Sequence, residues 1–542
     1  MLNQHLRLAA PWTTPAAALT LLLAIPAFAQ DEHAHHVLGT VHFPVTCSTE
    51  AQAAFDEGMK LQHSFWHKAA IAKFQEALER DPSCAMAHWG QALAIIGNPF
   101  AVPSAKNLAE GLDHLEEAQR IGAKTEREAG WIEALLTFFR DHDKQDHRTR
   151  VMAFERAMGD LAARFSDDPE ARIYHALSLT VSAAPTDKTY ARQLRAAEIL
   201  EAEWRRQPEH PGVAHYLIHT YDVPPLAEKG LAAAGRYATI APDAPHAVHM
   251  PSHIFTRVGY WPESIASNER SAAAAREVGS VGDEIHALDY VVYAHLQMGQ
   301  DEAAKRIVAD LGRFGDIDPA RVSLPIAAFY GTSAMPARLA MERGAWDEAA
   351  TLETRKSPSP FLFADALTHY ARAVGLARSG NPDKAASDIE ALNALVKGLR
   401  DKKDAYWSEQ VDIQRQVAEA WVAFARVDKE KALIDLRIAT EREAATEKHA
   451  VTPGPLAPAR EQLAEALLAM GMPGEALTEF EAVQRTEPNR FRAIYGAAHA
   501  AEMVGDRERA RQHYGRLLEI VGAADTTRPE ITTARTFVAE AR

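Results

Sequence analysis

Residues 54–82, AFDEGMKLQHSFWHKAAIAKFQEALERDP, predict two antiparallel helices joined by a short turn. In a repeat unit of about 34 residues that begins at residue 51, Gly58 and Ala70 occupy positions 8 and 20, and Phe74 and Pro82 occupy positions 24 and 32. The small residues let the two helices approach closely, and Phe74 fills the gap between them. Pro82 ends the second helix because proline has no backbone N–H.

The same unit recurs toward the C-terminus. The segments EALLAMGMPGEAL (465–477) and AAEMVGDRERAR (500–511) place two glycines 505 − 471 = 34 residues apart. Between the two ends of the chain, turn sequences recur at spacings of 40, 45 and 36 residues, around Gly259, Gly299, Gly344 and Gly380. Glycine commonly adopts the left-handed conformation after a helix end, and an acidic residue after each turn favours the start of the next helix.

The predicted fold is therefore all-α, with tetratricopeptide-like helix–turn–helix repeats that form a right-handed α-solenoid. The 47% hydrophobic and 25% charged residues are ordinary for a globular protein. The predicted segments are a signal peptide (1–29), a His-containing N-terminal segment (30–46), N-terminal repeats (47–100), a divergent helical region (101–187), central His-bearing repeats (188–300), further helical repeats (301–450), a C-terminal repeat pair (451–523) and a tail (524–542).

The first 29 residues have the pattern of a secretory signal peptide. Arg7 supplies a positive charge, residues 16–25 are mainly apolar, and Ala27 and Ala29 are small residues where signal peptidase cleaves. We therefore expect an exported, periplasmic protein whose signal peptide is removed. No stretch reaches the roughly 18 apolar residues of a membrane-spanning helix, so no transmembrane segment is predicted.

The chain has two cysteines, Cys47 and Cys84, which are 84 − 47 = 37 residues apart. Each precedes an apolar helical pattern, so stacked repeats would place the two residues at equivalent points of neighbouring helices. An oxidising compartment permits a disulfide between them, and two free buried thiols are the alternative. Because the chain has no CxxC pair, heme attachment and disulfide exchange are not expected.

Charge and motif content narrow the functional classes. Asp and Glu number 74 against 59 Lys and Arg, which gives a formal net charge of −15. No basic run interrupts this balance, so nucleic-acid binding is not expected. The motifs GxxxxGK[ST], GxGxxG, GxSxG and HExxH are absent, which removes the familiar nucleotide-binding, hydrolase and zinc-protease patterns. The sequence leaves open whether the protein is an enzyme.

Histidines are concentrated in the central repeats. In PEHPGVAHYLIHTYD (208–222), His215 and His219 are four residues apart and share one helix face. The next repeat contains His249 and His253, at offsets of 249 − 215 = 34 and 253 − 219 = 34. One repeat period therefore places the two pairs side by side on adjacent helices, although Pro251 is expected to disturb the second helix locally.

A further helix, which contains His286, follows the two histidine pairs. We predict that His215, His219, His249, His253 and His286 converge on one metal ion, Cu, Zn or Fe, in the concave groove. Asp222, His246 and Asp289 are expected to lie around these ligands, and Asp222 or Asp289 is expected to orient them or act as a base. The alternative is that each imidazole packs between helices and forms ordinary hydrogen bonds. His33, His35 and His36 are predicted to belong to a solvated segment that could also take up Cu or Zn.

Several motifs resemble a family of exported bacterial tetratricopeptide-repeat proteins, rich in histidine and largely uncharacterised. They are HFPVTC (42–47), LQHSFW (61–66), DPSCAMA (81–87), QPEHPGVAHYLIHTYD (207–222), APHAVHMPSHIFTRVG (244–259) and HALDY (286–290). The resemblance implies the repeat fold, export and a role for the His-bearing helices, but no reaction. His67 and His88 stand where similar proteins have aromatic residues, so we do not expect them to be ligands.

Two functions are consistent with these patterns. The favoured function is a periplasmic scaffold that binds a protein or peptide partner in the concave groove, as the repeat architecture suggests. The alternative is a metal-binding protein or metalloenzyme that uses the His cluster of the central repeats.

Overall fold

The chain is built from consecutive α-helices connected by turns. A computed structural model describes residues 36–358, 361–526 and 528–540, and no β-strand occurs among these residues. The N-terminal helices are α1 (Thr49–His63), α2 (His67–Arg80), α3 (Ala85–Ile95), α4 (Ala105–Ile121), α5 (Glu126–Phe139), α6 (His147–Arg164), α7 (Pro169–Ser182) and α8 (Ala191–Arg206).

The central helices carry the clustered histidines. They are α9 (Pro211–Tyr221), α10 (Leu231–Ile240), α11 (Pro245–His249), α12 (Pro251–Arg257), α13 (Trp261–Glu277), α14 (Val281–Gln297), α15 (Asp301–Ala309), α16 (Pro325–Glu342) and α17 (Trp346–Ala350). The remaining helices are α18 (Leu362–Arg378), α19 (Ala386–Asp401), α20 (Ala405–Ala425), α21 (Lys429–Ala444), α22 (Ala459–Ala469), α23 (Pro473–Thr486), α24 (Phe491–Met503), α25 (Arg507–Ile520) and α26 (Pro529–Glu540). Short 3₁₀ turns occur at Ala227–Gly230, Asp310–Phe314 and Pro382–Ala385.

The first helical hairpin forms as its sequence predicts. Phe74 of α2 is fully buried, and a Cβ atom added at Gly58 of α1 would lie 2.6 Å from its ring. A Cβ atom added at Gly90 of α3 would approach the same ring equally closely. Two glycines therefore let three successive helices close around one aromatic side chain, which is the packing of a helix–turn–helix repeat.

The turn glycines also have the predicted conformation. Gly259, Gly299, Gly344, Gly380, Gly471 and Gly505 have φ angles between 64° and 82°, each at the end of a helix. L-residues with a side chain rarely adopt this left-handed conformation, so glycine ends each helix at low energetic cost. The prediction of an all-α chain of helix–turn–helix units is confirmed.

Contacts also form between units that are distant in sequence. α1 packs against α9, which places the N-terminal hairpin beside the histidine-bearing helices. At the other end, the Trp261 indole donates to the carbonyl of Asn489 at 2.9 Å, and Arg528 pairs with Asp301. Val37–Arg542 consequently form one compact unit. The segment boundaries proposed within this unit stay sequence-based predictions.

Residues 445–458, here called the strap, connect α21 to α22 and lie across distant helices. The backbone N–H of Glu447 donates to the carbonyl of Pro185 at 2.8 Å. The Tyr290 hydroxyl donates to the carbonyls of Ala450 and Thr452, each at 3.3 Å, and Arg338 donates to Gly454 at 2.8 Å. These bonds hold the strap against α14, α16 and the loop between α7 and α8.

The N-terminal predictions are covered only in part. The signal peptide and residues 30–35 of the His-containing segment lie outside the described residues. Cys47 and Cys84 form a disulfide with a Cα–Cα distance of 5.1 Å; Cys47 lies two residues before the start of α1, and Cys84 directly precedes α3. None of the described helices is both long and apolar enough to cross a membrane.

Candidate metal centre

Six imidazoles from four helices meet beside the strap. α9 supplies His215 and His219, α11 supplies His246 and His249, α12 supplies His253 and α14 supplies His286. All are buried except His246, which is partly buried. Pro251 interrupts the helix as predicted, so that α11 ends at His249 and α12 begins at Pro251.

The six rings form two groups of three rather than one convergent set. The first triad comprises His215, His219 and His246, and the second triad comprises His249, His253 and His286. Within each triad, one ring nitrogen of every residue lies within 4.8 Å of the corresponding nitrogens of the other two. The triads adjoin each other, because the ring centroids of His219 and His253 are 5.8 Å apart. The structure therefore divides the single site expected from the sequence into two neighbouring ones.

In the second triad, hydrogen bonds determine which nitrogen of His249 carries the proton. Its Nδ1 lies 2.6 Å from Oδ1 of Asn268. The amide nitrogen of Asn268 donates to the carbonyl of Ser264 at 2.8 Å, which identifies Oδ1 as the atom facing the imidazole. His249 must therefore donate through Nδ1, and its Nε2 carries a lone pair.

The orientation of His253 is set by Asp222. His253 Nδ1 lies 2.9 Å from Asp222 Oδ2, while Arg257 Nε donates to Oδ1 at 2.7 Å. Burial raises the pKa of this carboxyl, but the positive charges of Lys448 and Arg257 outweigh it and hold the pKa well below its usual range. The ionised carboxylate accepts the Nδ1 proton, so the Nε2 of His253 also carries a lone pair.

These two assignments bring two lone pairs together. The Nε2 atoms of His249 and His253 are 3.0 Å apart. Burial is the largest cause of lowered pKa in both rings and lowers that of His249 to about 3, so a shared proton is disfavoured near neutral pH. Two nitrogens bound to one ion at about 2.05 Å would be separated by about 2.9 Å at a right angle and about 3.3 Å in a tetrahedron. A cation between the rings would satisfy both lone pairs at this spacing.

The first triad has a related arrangement. His215 Nδ1 donates to the carbonyl of His63 at 2.6 Å, which leaves its Nε2 3.2 Å from Nε2 of His246. The Nε2 of His219 is buried and has no hydrogen-bond partner in the described part of the chain. Burial, followed by the neighbouring imidazoles, lowers the pKa of all three rings well below 6.5. Neutral imidazoles are the form that binds metals.

Phe65 covers the first triad. Its ring centroid lies 4.3 Å from that of His215, 5.8 Å from that of His219 and 5.4 Å from that of His246. The residue has a φ angle of 53°, which is unusual for a side chain of this size and costs about 1–3 kcal/mol. The surrounding packing retains this strained conformation, and the ring shields the three imidazoles on one side.

A third group resembles a metal site in composition but not in bonding. His63 and His210 place their Nε2 atoms 3.0 and 2.8 Å from the two carboxylate oxygens of Glu170. His63 Nδ1 also contacts the Tyr216 hydroxyl at 2.9 Å, and His210 Nδ1 accepts from the backbone N–H of Val213 at 3.3 Å. Every imidazole nitrogen of this cluster has a protein partner. The cluster fixes His63, whose carbonyl holds His215.

Two of the orienting residues have roles different from those expected. His246 belongs to the first triad itself, because its Nε2 faces His215. Asp289 lies one helical turn after His286, but its carboxylate pairs with Arg338 at 3.3 Å. Burial raises the pKa of Asp289, and Arg338 opposes this increase. The orienting role proposed for Asp222 agrees with its contact to His253.

His67 and His88, which were not expected to be ligands, belong to neither triad. His67 contacts Gln62 at 3.3 Å, and His88 places Nδ1 3.1 Å from Nδ1 of His114 on α4.

A cavity of about 30 Å³ opens between the triads and the strap. Its walls include four of the six imidazoles, those of His219, His246, His253 and His286. The remaining lining residues are Asn98, Phe100, Ala101, Leu324, Ile326, His449, Ala450 and Val451.

Sequence reasoning missed Asn268, Lys448 and His449, because none of them shares the repeat offset of the ligand histidines. His449 belongs to the strap, and no repeat pattern in the sequence predicts that the strap lies beside the triads.

Comparison with known proteins shows no match to a family model and none to a curated protein. Similar solved structures include the yeast Tom70, 12% identical over 91% of this chain and 96% of that chain, with a TM-score of 0.28. A human IFIT1 dimer with PPP-AAAA is 10% identical over 86% of this chain and 95% of that chain, with a TM-score of 0.38. The Cut9 and Hcn1 assembly of APC/C is 12% identical over 91% and 96%, with a TM-score of 0.28. Likenesses this low carry no inference about the function of this chain.

Proposed function

We propose that this protein binds two transition-metal ions, one in each imidazole triad. The observation that carries the proposal is the pair of Nε2 lone pairs of His249 and His253, which face each other at 3.0 Å in a buried site. Without a cation these atoms repel each other, and the remaining nitrogens are already committed to Asn268 and Asp222. Metal-binding histidines commonly have such partners on their second nitrogen.

The donor set defines the class of ion. Three neutral imidazoles per site suit Zn, Cu or Fe, and they disfavour Ca and Mg, which prefer oxygen ligands. Three protein ligands also leave a coordination position open on each ion, as in catalytic rather than structural zinc sites. When bound, such an ion supplies Lewis acidity or redox chemistry at that position. The chain's own residues hold it, exclude bulk water and fix the imidazole protons on Nδ1 of His215, His249 and His253.

Metal analysis of tag-free protein tests this proposal. After reconstitution with Cu, Zn or Fe, we expect two ions per chain in the native sequence and one in a His249→Ala/His253→Ala variant. A matched control is His88→Ala/His114→Ala, which removes a contacting imidazole pair outside the cavity and should retain both ions. Protein that holds no ion after reconstitution with each metal would overturn the proposal.

Protein or peptide binding is the second candidate, supported by the repeat architecture alone. The strap and Phe65 lie over the histidine-bearing helices, and the remaining cavity of about 30 Å³ is too small for a peptide. A scaffold function would therefore use another face of the helical array. Co-purification from a periplasmic extract, compared with protein carrying charge-reversing substitutions on the outer helices, tests it.

Export to the periplasm is proposed from the N-terminal sequence. N-terminal sequencing of the protein recovered from a periplasmic fraction should begin at Gln30 if residues 1–29 are removed. Recovery of the full-length chain in the cytoplasm would contradict export.

A further inference from the structure

The cavity beside the triads combines apolar walls with a few side chains that can form hydrogen bonds. Its volume of about 30 Å³ has room for about two water-sized groups. Phe100, Ala101, Leu324, Ile326 and Val451 supply apolar walls. Of the lining residues outside the triads, His449 and Asn98 are the ones with polar side chains, and the bonds of these two side chains determine which of their groups stay available to a ligand.

The protonation of His449 is determined by its own segment of the strap. The backbone N–H of Val451 donates to His449 Nδ1 at 3.1 Å. Burial, with a further contribution from Lys448, lowers the pKa of His449 to about 4, so the ring is neutral near pH 7. A neutral imidazole that accepts at Nδ1 has its proton on Nε2. No described group accepts from this Nε2–H.

Asn98, which lines the same cavity, forms the same kind of hydrogen bond as His449. The backbone N–H of Phe100 donates to Asn98 Oδ1 at 2.9 Å, which assigns the oxygen of the amide. The Nδ2 group of Asn98 then remains as a donor, and no described group accepts from it. Both side chains thus use their acceptor on a backbone N–H two residues later and keep a donor that no described group accepts, and both residues line the cavity.

We propose that the cavity binds a small anion of two or three non-hydrogen atoms, bound end-on to an ion of the triads and hydrogen-bonded by His449 and Asn98. This inference rests on the proposed metal centre. Two side-chain donors without an acceptor among the described residues favour a ligand that accepts hydrogen bonds. The volume limits that ligand to the size of hydroperoxide, azide or cyanate.

Azide binding to the Cu(II)-loaded protein tests the inference. Azide bound to Cu(II) produces a charge-transfer absorption, which gives a dissociation constant by titration. We expect His449→Phe to weaken azide binding about tenfold or more, because a hydrogen bond to a charged ligand is lost. His449→Gln, which can still place an N–H near the Nε2 position, should retain part of the affinity. Asn98→Leu should weaken binding by a smaller factor.

The controls separate this inference from the metal proposal. His499→Phe removes an imidazole of α24 that does not line the cavity, and azide affinity should be unchanged. Copper content is measured for every variant, so absence of copper from the native protein counts against the metal centre. Native copper content with no azide binding, or with equal azide affinity in His449→Phe, overturns the anion site alone. Equal affinity for azide and for the larger benzoate would likewise overturn the size limit.

Discussion

Two buried histidine clusters lie close together in this protein and differ in how their imidazole nitrogens are bonded. In the cluster of His63, Glu170 and His210, every imidazole nitrogen has a partner in the protein. In the second triad, His249 and His253 each use Nδ1 on an acceptor and direct Nε2 toward the other. Burial is similar, so it does not distinguish the two.

The difference shows how a structural histidine is told from a ligand. A carboxylate placed between two imidazoles accepts both protons, so the Glu170 cluster is complete without an ion. An amide oxygen and a carboxylate placed behind the imidazoles leave lone pairs at the front, which call for a metal ion or a hydrogen-bond donor. The assignment of the hydrogen-bond network therefore carries more information than the number of clustered histidines.

The largest expected effect is acid destabilisation of the metal-free protein. Burial lowers the pKa of all six triad imidazoles below 6.5, that of His249 to about 3. Between pH 6.5 and the lowered pKa values of the folded protein, the unfolded chain binds more protons than the folded one. The free energy of unfolding therefore decreases as the pH falls below about 6.5. Each ring contributes up to about 1.4 kcal/mol per pH unit.

Denaturant unfolding at about pH 7.5 and about pH 5 measures this dependence. Bound metal keeps the imidazoles deprotonated, so the loaded protein should lose less stability over the same interval. Equal pH dependence with and without metal would mean that the ion is not held by these rings.

Removal of Glu170 should mainly affect stability. Glu170→Ala leaves the Nε2–H groups of His63 and His210 buried without an acceptor, and we expect a loss of about 3 kcal/mol or more. The second triad should still bind its ion. Glu155→Ala is the matched control, because this carboxylate pairs with Arg192 and lies 3.8 Å from His175 nearer the surface, where the expected cost is about 1 kcal/mol or less. Similar losses in both variants would contradict a structural role specific to Glu170.

For His286, which supplies the third nitrogen of the second triad, we expect a small effect on the stability of the metal-free protein and a large effect on metal binding. His286→Leu should change the stability of the metal-free protein little, since no hydrogen bond from the described residues holds this imidazole. At a free metal concentration of 100 times Kd, one site stabilises the native protein by about 2.7 kcal/mol, most of which this variant should lose. Thermal unfolding with and without metal measures the difference, with His499→Leu as the control. Full retention of the metal-dependent increase would remove His286 from the site.

The smallest expected effect concerns Asp222, the carboxylate that accepts the Nδ1 proton of His253. Asp222→Asn should weaken metal binding at the second triad about 10- to 100-fold, because the neutral amide supports the His253 imidazole less well. Asp388→Asn is a matched control, since Asp388 also pairs with a histidine and an arginine, His369 at 2.7 Å and Arg372 at 2.9 Å. Both variants should be destabilised, and only Asp222→Asn should change metal affinity in a competition titration.

Most of the local structure could be predicted from the sequence. Small residues at repeat spacing predict the packing around Phe74, and the turn glycines have the left-handed φ angles that helix ends require. The spacing of four residues in His215 and His219 places both rings on one face of α9. These features depend on neighbours within one hairpin, which periodicity describes well.

The division of the imidazoles into two triads was not predictable in the same way. A shared offset of 34 residues identifies equivalent positions, but it does not say which rings approach each other. The structure pairs His215 with His246, at an offset of 246 − 215 = 31, because α11 begins with Pro245 and presents its first turn to α9. Side-chain direction, rather than register alone, decides which nitrogens meet.

The amino-acid sequence alone determined the helices, their turns and the presence of paired imidazoles on successive repeats, because these follow from short-range spacing. Tertiary structure alone decided that Asn268 fixes the proton of His249, that Asp289 pairs with Arg338, and that a strap 160 residues after Tyr290 brings His449 to the cavity. Such contacts arise between segments with no common period, and a hydrogen bond depends on atomic positions that no sequence interval encodes.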